Sequence, residues 1–194
     1  MNKVSKVSIL ILSLSLLIVY FVPIWRINLE APQYPEGLGM QIWVNRLEGD
    51  ISTINGLNHY IGMKFIEETS IPELKYMPFI LAAIIGFGII VSISKSKKLL
   101  YTWAFLLLAM CVIGGVDFYL WEYDYGHNLD PHAPIKIPGM SYQPPLFGSK
   151  ELLNFNAHSY PHIGGWIIIS VSIIVVVLCL LNLKTLKYDT KKYN

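Results

Sequence analysis

Residues 77–116 read MPFILAAIIGFGIIVSISKSKKLLYTWAFLLLAMCVIGGV, two uncharged apolar runs joined by a short link that contains Lys95, Lys97 and Lys98. A helix needs about 20 residues, at about 1.5 Å each, to cross the hydrocarbon core of a bilayer. Because lipid offers no hydrogen-bond partners, the backbone groups must bond within their own segment, which favours helices over strands. The link allows only a turn, so the stretch predicts an antiparallel helical hairpin.

Two further apolar runs flank this hairpin along the chain, and together the four predict membrane spans over residues 7–25, 77–94, 99–118 and 163–183. The composition agrees, since 54% of the residues are apolar and only 14% are charged, a balance that suits lipid as solvent. No small-residue cleavage site follows the first run, so we expect it to be a retained anchor. The sequence therefore predicts a single all-α membrane domain over residues 1–194, with two long outer loops at 26–76 and 119–162.

The distribution of charge predicts the orientation of these spans. The two tails and the link at 95–98 hold nine of the fifteen basic residues and one of the thirteen acids. Because lysine and arginine concentrate in cytoplasmic segments, we expect both termini inside the cell and both long loops outside the cytoplasm. The basic residues form no cluster with a nucleic-acid-reading motif, so the expected partner is the bilayer and not a nucleic acid.

The first outer loop contains two kinds of local signal. Residues 29–40 are punctuated by proline and glycine and cannot form a helix, whereas the alternation over 41–45 allows a short strand. Asp50 or Ser52 can then cap a helix over 51–65, which would carry a stripe of apolar side chains. The loop is therefore expected to hold one short helix and at most one short strand.

That predicted helix carries His59 and Met63 four residues apart, so both side chains would project from one face. Thioether and imidazole form a soft ligand set that favours copper, above all Cu(I). Met40 on the preceding glycine-rich segment is a possible third ligand. The simpler alternative is a surface histidine beside a core methionine.

The second outer loop contains further candidate ligands. Its prolines favour an extended, low-entropy path, which would hold His127, Asp130, His132 and Met140 near set positions. At the end of the third span Asp117 is costly unless it has water, a cation or a partner. The alternatives are that the prolines order a lid and that Asp117 is a solvated interfacial carboxylate.

Several known kinds of site lack a matching pattern in this sequence. No histidine lies within a predicted span, which excludes a haem held between helices by two histidines. The sequence has no P-loop, no G-x-S-x-G and no H-E-x-x-H motif. Cys111 and Cys179 sit singly in apolar runs, so no disulfide or zinc motif is expected. No enzymatic activity is therefore predicted from a motif.

Three segments carry a resemblance: residues 31–40 (APQYPEGLGM), 55–64 (NGLNHYIGMK) and 124–131 (DYGHNLDP). They resemble small multi-span proteins encoded beside nitrous oxide reductase and its copper accessory genes in Bacteroidetes and related bacteria. The resemblance implies an accessory factor at the periplasmic face of the bacterial inner membrane, handling copper for nitrous oxide reductase maturation. Its partner would be a periplasmic copper enzyme or chaperone. Unlike known copper chaperones, Met63 and Met140 sit in no M-x-x-M motif.

Two other functions stay open at this point. One is a non-metal scaffold or interaction subunit for a periplasmic redox partner, in which loop aromatics such as Trp43, Tyr123 and Tyr142 supply the contacts. The other is a quinone-linked membrane enzyme that uses Asp117 and Glu122 as proton carriers.

Overall fold

The structure, a computed structural model, describes residues 1–152 and 155–192. Its elements in chain order are α1 (Lys3–Ser15, continued by a 3₁₀ turn over Leu16–Tyr20), β1 (Trp25–Ala31), β2 (Tyr34–Ile42), β3 (Leu47–Gly49), α2 (Ile51–Ile61), α3 (Glu73–Ile93), α4 (Lys97–His127), β4 (Gly148–Leu152), β5 (Phe155–Pro161) and α5 (Ile163–Lys192). A 3₁₀ turn, Glu68–Ser70, precedes α3.

Four helical stretches in the described part of the chain are long and apolar enough to cross a membrane, as the sequence predicted. They are Lys3–Tyr20, Glu73–Ile93, Lys97–His127 and Ile163–Leu183. The first ends five residues before the predicted boundary at 25, because Trp25 already pairs in the sheet. These four stretches pack as a bundle around fully buried side chains that include Ile9, Leu16, Trp103 and Val175.

The lysine-bearing ends of these helices meet at one end of the bundle. The ammonium of Lys6 donates to the backbone carbonyl of Ile93 at 2.8 Å, and that of Lys97 donates to the carbonyl of Asn182 at 3.3 Å. Ile93 is the last residue of α3, so the Lys6 ammonium satisfies a carbonyl that the last turn of this helix leaves open. The strands and α2 lie at the opposite end, where β1 follows α1 and β5 leads into α5.

The prediction of an all-α protein with two long loops is wrong, because the loops build a five-stranded antiparallel sheet in the order β3-β2-β1-β5-β4. The central strand β1 pairs on one side with β2, where Ile27 faces Met40, and on the other with β5, where Ile27 faces Ser159. The first loop supplies β1, β2 and β3, and the second supplies β4 and β5. Antiparallel pairing therefore joins both loops into one layer.

Within the first loop the predicted local structure is only partly confirmed. Residues 29–40 are non-helical, as expected, but they belong to strands. The strand expected over 41–45 is misplaced, since β2 ends at Ile42 and the N–H of Trp43 donates to the carbonyl of Arg46 in the following turn, at 2.9 Å. Gly37 adopts a φ of 76° inside β2, a conformation that costs little only for glycine.

Helix α2 begins at Ile51 as predicted but ends four residues before the predicted end at 65. Gly62 stops it in the left-handed conformation, with a φ of 79°, the usual glycine signal for a helix C-terminus. Its buried side presents Ile54 and Asn58, and the Ile54 side chain joins a second apolar cluster with the sheet and Tyr125 of α4.

Helix α4 has 31 residues, which at about 1.5 Å per residue gives roughly 46 Å, well beyond the hydrocarbon core of about 30 Å. Its last turns belong to the sheet end of the molecule, since Phe118, Trp121 and Tyr125 pack on the cluster that contains Ile27 and Met40. We therefore treat 99–118 as the apolar stretch of this helix and residues after 118 as part of the sheet layer.

Candidate functional site

A partly open cavity of about 80 Å³ lies in the sheet layer, lined by residues of β1, β2, β4, β5, α2, the last turns of α4 and the second loop. Aliphatic side chains from the strands and α2 form most of its wall. Trp121, Glu122 and Tyr125 of α4 and Tyr142 of the second loop supply most of its polar and aromatic groups, with Asn58 of α2 and Phe155 of β5 supplying the others. The cavity is therefore mainly apolar, and its carboxyl comes from α4.

Two glycines allow the second loop to close over this chamber. The N–H of Tyr142 donates to the carbonyl of Gly126 at 2.9 Å, and a Cβ on Gly126 would overlap the backbone of Gln143. At the end of α2 the N–H of Asp130 donates to the carbonyl of Gly62 at 2.8 Å. The loop is thus fixed against the ends of both helices, which places Tyr142 in the cavity wall.

Glu122 is the buried acid of the site. Its side chain is 0% exposed, and neither carboxyl oxygen has a hydrogen-bond partner within the described ranges. Burial raises the pKa of this carboxyl from 4.5 to about 8, because the charged form loses its hydration without gaining a cation or a donor. The group is therefore mainly protonated at neutral pH and can still ionise close to it.

Further unpartnered polar atoms belong to residues that line the same cavity. The indole N–H of Trp121 and the hydroxyl of Tyr142 are buried without a partner among residues 1–152 and 155–192. Of the seven such atoms found among the described side chains, four belong to Trp121, Glu122 or Tyr142. Buried polar groups are nearly always hydrogen-bonded, so this concentration marks a place where a bound molecule or water completes the structure.

Two of the predicted metal ligands, Met40 and Met63, are brought to this cavity. Met40 is only 2% exposed in the apolar cluster, and Met63 packs against the same cluster. The pairing of His59 with Met63 on one helical face is wrong, because α2 ends at Ile61 and Met63 follows the left-handed Gly62. His59 is exposed instead, with its ring stacked on Phe65 at a centroid distance of 6.2 Å.

The other predicted ligands lie outside the cavity. The exposed ring of His127 stacks on Tyr123 with centroids 3.9 Å apart, while Met140 is half-buried and Asp117 is exposed on α4. His132 Nδ1 lies 3.3 Å from Asp130 Oδ1, and both side chains are mostly exposed.

The side-chain contacts of Asp130 are local. The backbone N–H of His132 donates to its carboxylate at 2.7 Å, and this bond holds the pKa of Asp130 below its usual value. Among the described residues no three His, Cys, Asp or Glu side chains form a group that could hold a metal ion.

No pattern in the sequence predicted the cavity, and the sequence indicated Glu122 only as a possible proton carrier. One clue was available in the helical periodicity, since Asp117 and Asp124 fall roughly on one face of α4 whereas Glu122 faces elsewhere. Asp124 is indeed surface-directed, with its carboxylate 2.5 Å from the Lys64 ammonium. An acid turned away from the solvated face of a helix is a candidate for burial.

Comparison with family models, curated proteins and solved structures gives no match to this chain.

Proposed function

We propose that this chain is a membrane-anchored protein of the bacterial inner membrane whose periplasmic sheet layer binds a small ligand in the cavity beside Glu122. The observation that carries the proposal is the fully buried, unpartnered carboxyl of Glu122 in a chamber whose other walls are mainly apolar. Small-molecule sites commonly combine an apolar chamber with a few convergent polar groups and a titratable group of shifted pKa.

The proposed orientation rests on the two ends of the helix bundle. The ammonium groups of Lys6 and Lys97 bond to carbonyls at one end, whereas every described strand lies at the other. Because basic segments favour the cytoplasm, the sheet layer and its cavity would face the periplasm, with both termini inside.

Cysteine labelling tests this orientation. Lys136→Cys in the second loop and Lys95→Cys in the α3–α4 link each place a thiol at an exposed position, in a chain from which Cys111 and Cys179 have been replaced by serine. A membrane-impermeant maleimide added to spheroplasts should label Lys136→Cys and leave Lys95→Cys unmodified until the cells are lysed. The opposite labelling would refute a periplasmic cavity.

The energetic support for ligand binding comes from the unpartnered groups. A buried polar group without a hydrogen bond costs about 1–3 kcal/mol, and Trp121, Glu122 and Tyr142 each carry one or more such atoms. A molecule that bonds to these groups would recover part of that cost in addition to burying its own apolar surface.

A fragment-binding experiment tests the function. Purified protein in lipid nanodiscs is screened by saturation-transfer NMR against water-soluble neutral and charged fragments of three to six heavy atoms. Leu57→Phe narrows the cavity, and Leu146→Phe makes the same change at an exposed position. We expect fragments that bind the unmodified protein and Leu146→Phe but lose binding to Leu57→Phe. If no fragment distinguishes the two variants, the cavity is not a ligand site.

Copper handling is the second candidate, and one observation favours it. Met40 and Met63 line the same cavity, and thioethers are soft ligands that favour Cu(I). This site would serve the proposed role of an accessory factor for nitrous oxide reductase maturation. The exposed His59 and His127 would not take part in it.

Competition with a chromogenic chelator tests copper binding. We expect about one equivalent of Cu(I) per chain, lost in the double variant Met40→Leu with Met63→Leu and kept in His59→Ala with His127→Ala. Absence of uptake at micromolar copper would exclude this function, and loss in the histidine variant alone would move the site to the surface.

A further inference from the structure

The charged groups that line the cavity indicate which class of ligand it binds, and this inference rests on the small-ligand function proposed above. Glu122 is the only lining side chain in the described ranges that carries a carboxyl, and no Lys, Arg or His lines the chamber. From β1, β2 and α2 no titratable side chain reaches the lining, and the other titratable groups are the phenols of Tyr125 and Tyr142. The nearby charges of Lys64 and Asp124 are paired with each other at the surface.

Aromatic rings surround the carboxyl side of this chamber. Trp121 and Tyr125 lie with ring centroids 4.5 Å apart, and Tyr142 joins them from the second loop. The faces of such rings attract organic cations, tryptophan most strongly. A carboxylate beside aromatic rings therefore complements a positive charge, and an ionised Glu122 would repel an anion.

The rest of the wall decides what kind of cation fits. Calcium takes 6–8 oxygen ligands and magnesium keeps several waters, whereas this cavity offers one carboxyl and mainly aliphatic surface. In an alkylammonium group the charged nitrogen is bonded to apolar carbons, and these carbons can pack against the aliphatic surface of the cavity. At about 80 Å³ the cavity has about half the volume of one that holds benzene, so it suits a head group of a few heavy atoms.

We propose that the cavity binds a small alkylammonium group, as a free amine or as the head group of a lipid, through the Glu122 carboxylate and the rings of Trp121, Tyr125 and Tyr142. Binding exchanges one proton for one cation: the Glu122 carboxyl and the ammonium yield the carboxylate–ammonium pair and one proton in solvent. Because the pKa of Glu122 is about 8 in the empty cavity, cation binding at lower pH competes with protonation. The apparent affinity for a quaternary ammonium then rises about tenfold per pH unit below that pKa and levels off above it.

Titration calorimetry with tetramethylammonium chloride tests the proposal, with tert-butyl alcohol as a neutral probe of similar shape. The full chain is placed in phosphatidylglycerol nanodiscs and titrated at pH 6 and pH 9, in buffers of different ionisation enthalpy. We expect tetramethylammonium to release close to one proton per cation at pH 6 and much less at pH 9. Glu122→Gln should weaken tetramethylammonium about 30-fold or more and leave tert-butyl alcohol unchanged, whereas Glu36→Gln, at an exposed carboxylate, should change neither.

A second arm separates the two sources of the cation. In nanodiscs that contain phosphatidylethanolamine, a lipid head group in the cavity would compete and weaken tetramethylammonium, while a site for a free amine would bind it equally in both lipids. Either result supports an alkylammonium site.

Three outcomes overturn this assignment. Binding of tert-butyl alcohol or another neutral fragment, without binding of tetramethylammonium, would refute a cation as the ligand and leave the small-ligand function standing. Equal binding of tetramethylammonium to Glu122→Gln and to the unmodified protein would have the same consequence. Binding of neither probe, with no fragment sensitive to Leu57→Phe, would refute both the alkylammonium ligand and the small-ligand function, and the cavity would then hold water only.

Discussion

Replacing Glu122 by glutamine should remove the loss of stability that the sheet layer suffers as pH rises. The pKa of Glu122 is about 8 in the folded protein, against 4.5 when the side chain is exposed. Below pH 4.5 the carboxyl is protonated in both states, and stability is not reduced. Between the two values folding requires uptake of a proton, so stability falls as pH rises, and above about pH 8 the loss is complete.

The magnitude follows from the separation of the two pKa values. Each unit is worth about 1.4 kcal/mol, so an exposed pKa of 4.5 and a buried one of about 8 predict a loss of roughly 3 kcal/mol at pH 7 and about 5 kcal/mol above pH 8. Glutamine has nearly the same shape and cannot ionise. We therefore expect the free energy of unfolding of Glu122→Gln, relative to the unmodified protein, to rise by about 1.4 kcal/mol per pH unit between pH 4.5 and 8 and to be level outside that interval.

Urea unfolding in lipid nanodiscs, followed by tryptophan fluorescence at half-unit steps from pH 4 to 9, measures this difference. Glu36→Gln removes an exposed carboxylate and is the control for a general effect of charge. The reasoning is refuted if the pH profiles of Glu122→Gln and the unmodified protein run parallel, since Glu122 would then ionise equally in the folded and unfolded states. If the free energy of unfolding of Glu36→Gln, relative to the unmodified protein, also changes with pH, the effect belongs to surface charge.

Two further predictions concern the bundle and the sheet. Gly88→Ala would bring a methyl group within 2.8 Å of a buried indole ring and should destabilise the bundle by about 1–3 kcal/mol in thermal unfolding. The control Gly114→Ala, whose methyl group meets nothing within 4 Å, should have little effect. Equal losses of stability in the two variants would contradict this packing. Cysteines in place of Asn28 and His158, which face each other across β1 and β5, should form a disulfide, because opposed Cα atoms lie about 4.5–5.5 Å apart. Cysteines at Asn28 and Ser149, two strands apart, should stay reduced on electrophoresis, and the reverse pattern would refute the strand order.

The helices could be predicted because each is encoded within its own segment. About 20 apolar residues suffice to indicate a spanning helix whatever the rest of the chain does, and the lysine link already implied the α3–α4 turn. The end of α1 was misjudged because apolar Ile24 and Trp25 extend the hydrophobic run, although Trp25 is the first residue of β1.

The sheet was missed for a different reason. From Arg26 to Ala31 polar and apolar residues alternate, which is the strand period of two, but this short signal adjoins a much stronger helical one. Its partner strand β5 lies far along the chain, with Trp25 opposite Pro161. Such pairing depends on contacts between distant segments, and no local pattern specifies it.

The candidate site shows the same division between local and non-local information. The sequence correctly drew attention to acids near the end of α4, yet it weighted Asp117, which is exposed, above Glu122. Burial of Glu122 needs α2, the strands and Tyr142 of the second loop around it. Helical periodicity can show that Glu122 points away from Asp124, but only tertiary packing decides what it points toward.

The energetic position of Glu122 argues that its carboxyl serves binding more than folding. A loss of roughly 3 kcal/mol at neutral pH is large beside a typical total stability of about 5–15 kcal/mol, and an aliphatic residue at 122 would fill the same wall without it. Sites where local chemistry conflicts with good packing tend to be functional. A molecule with hydrogen-bond donors or a positive charge would reduce this conflict on entering the cavity, so the burial that weakens the empty protein would strengthen the binding of such a molecule.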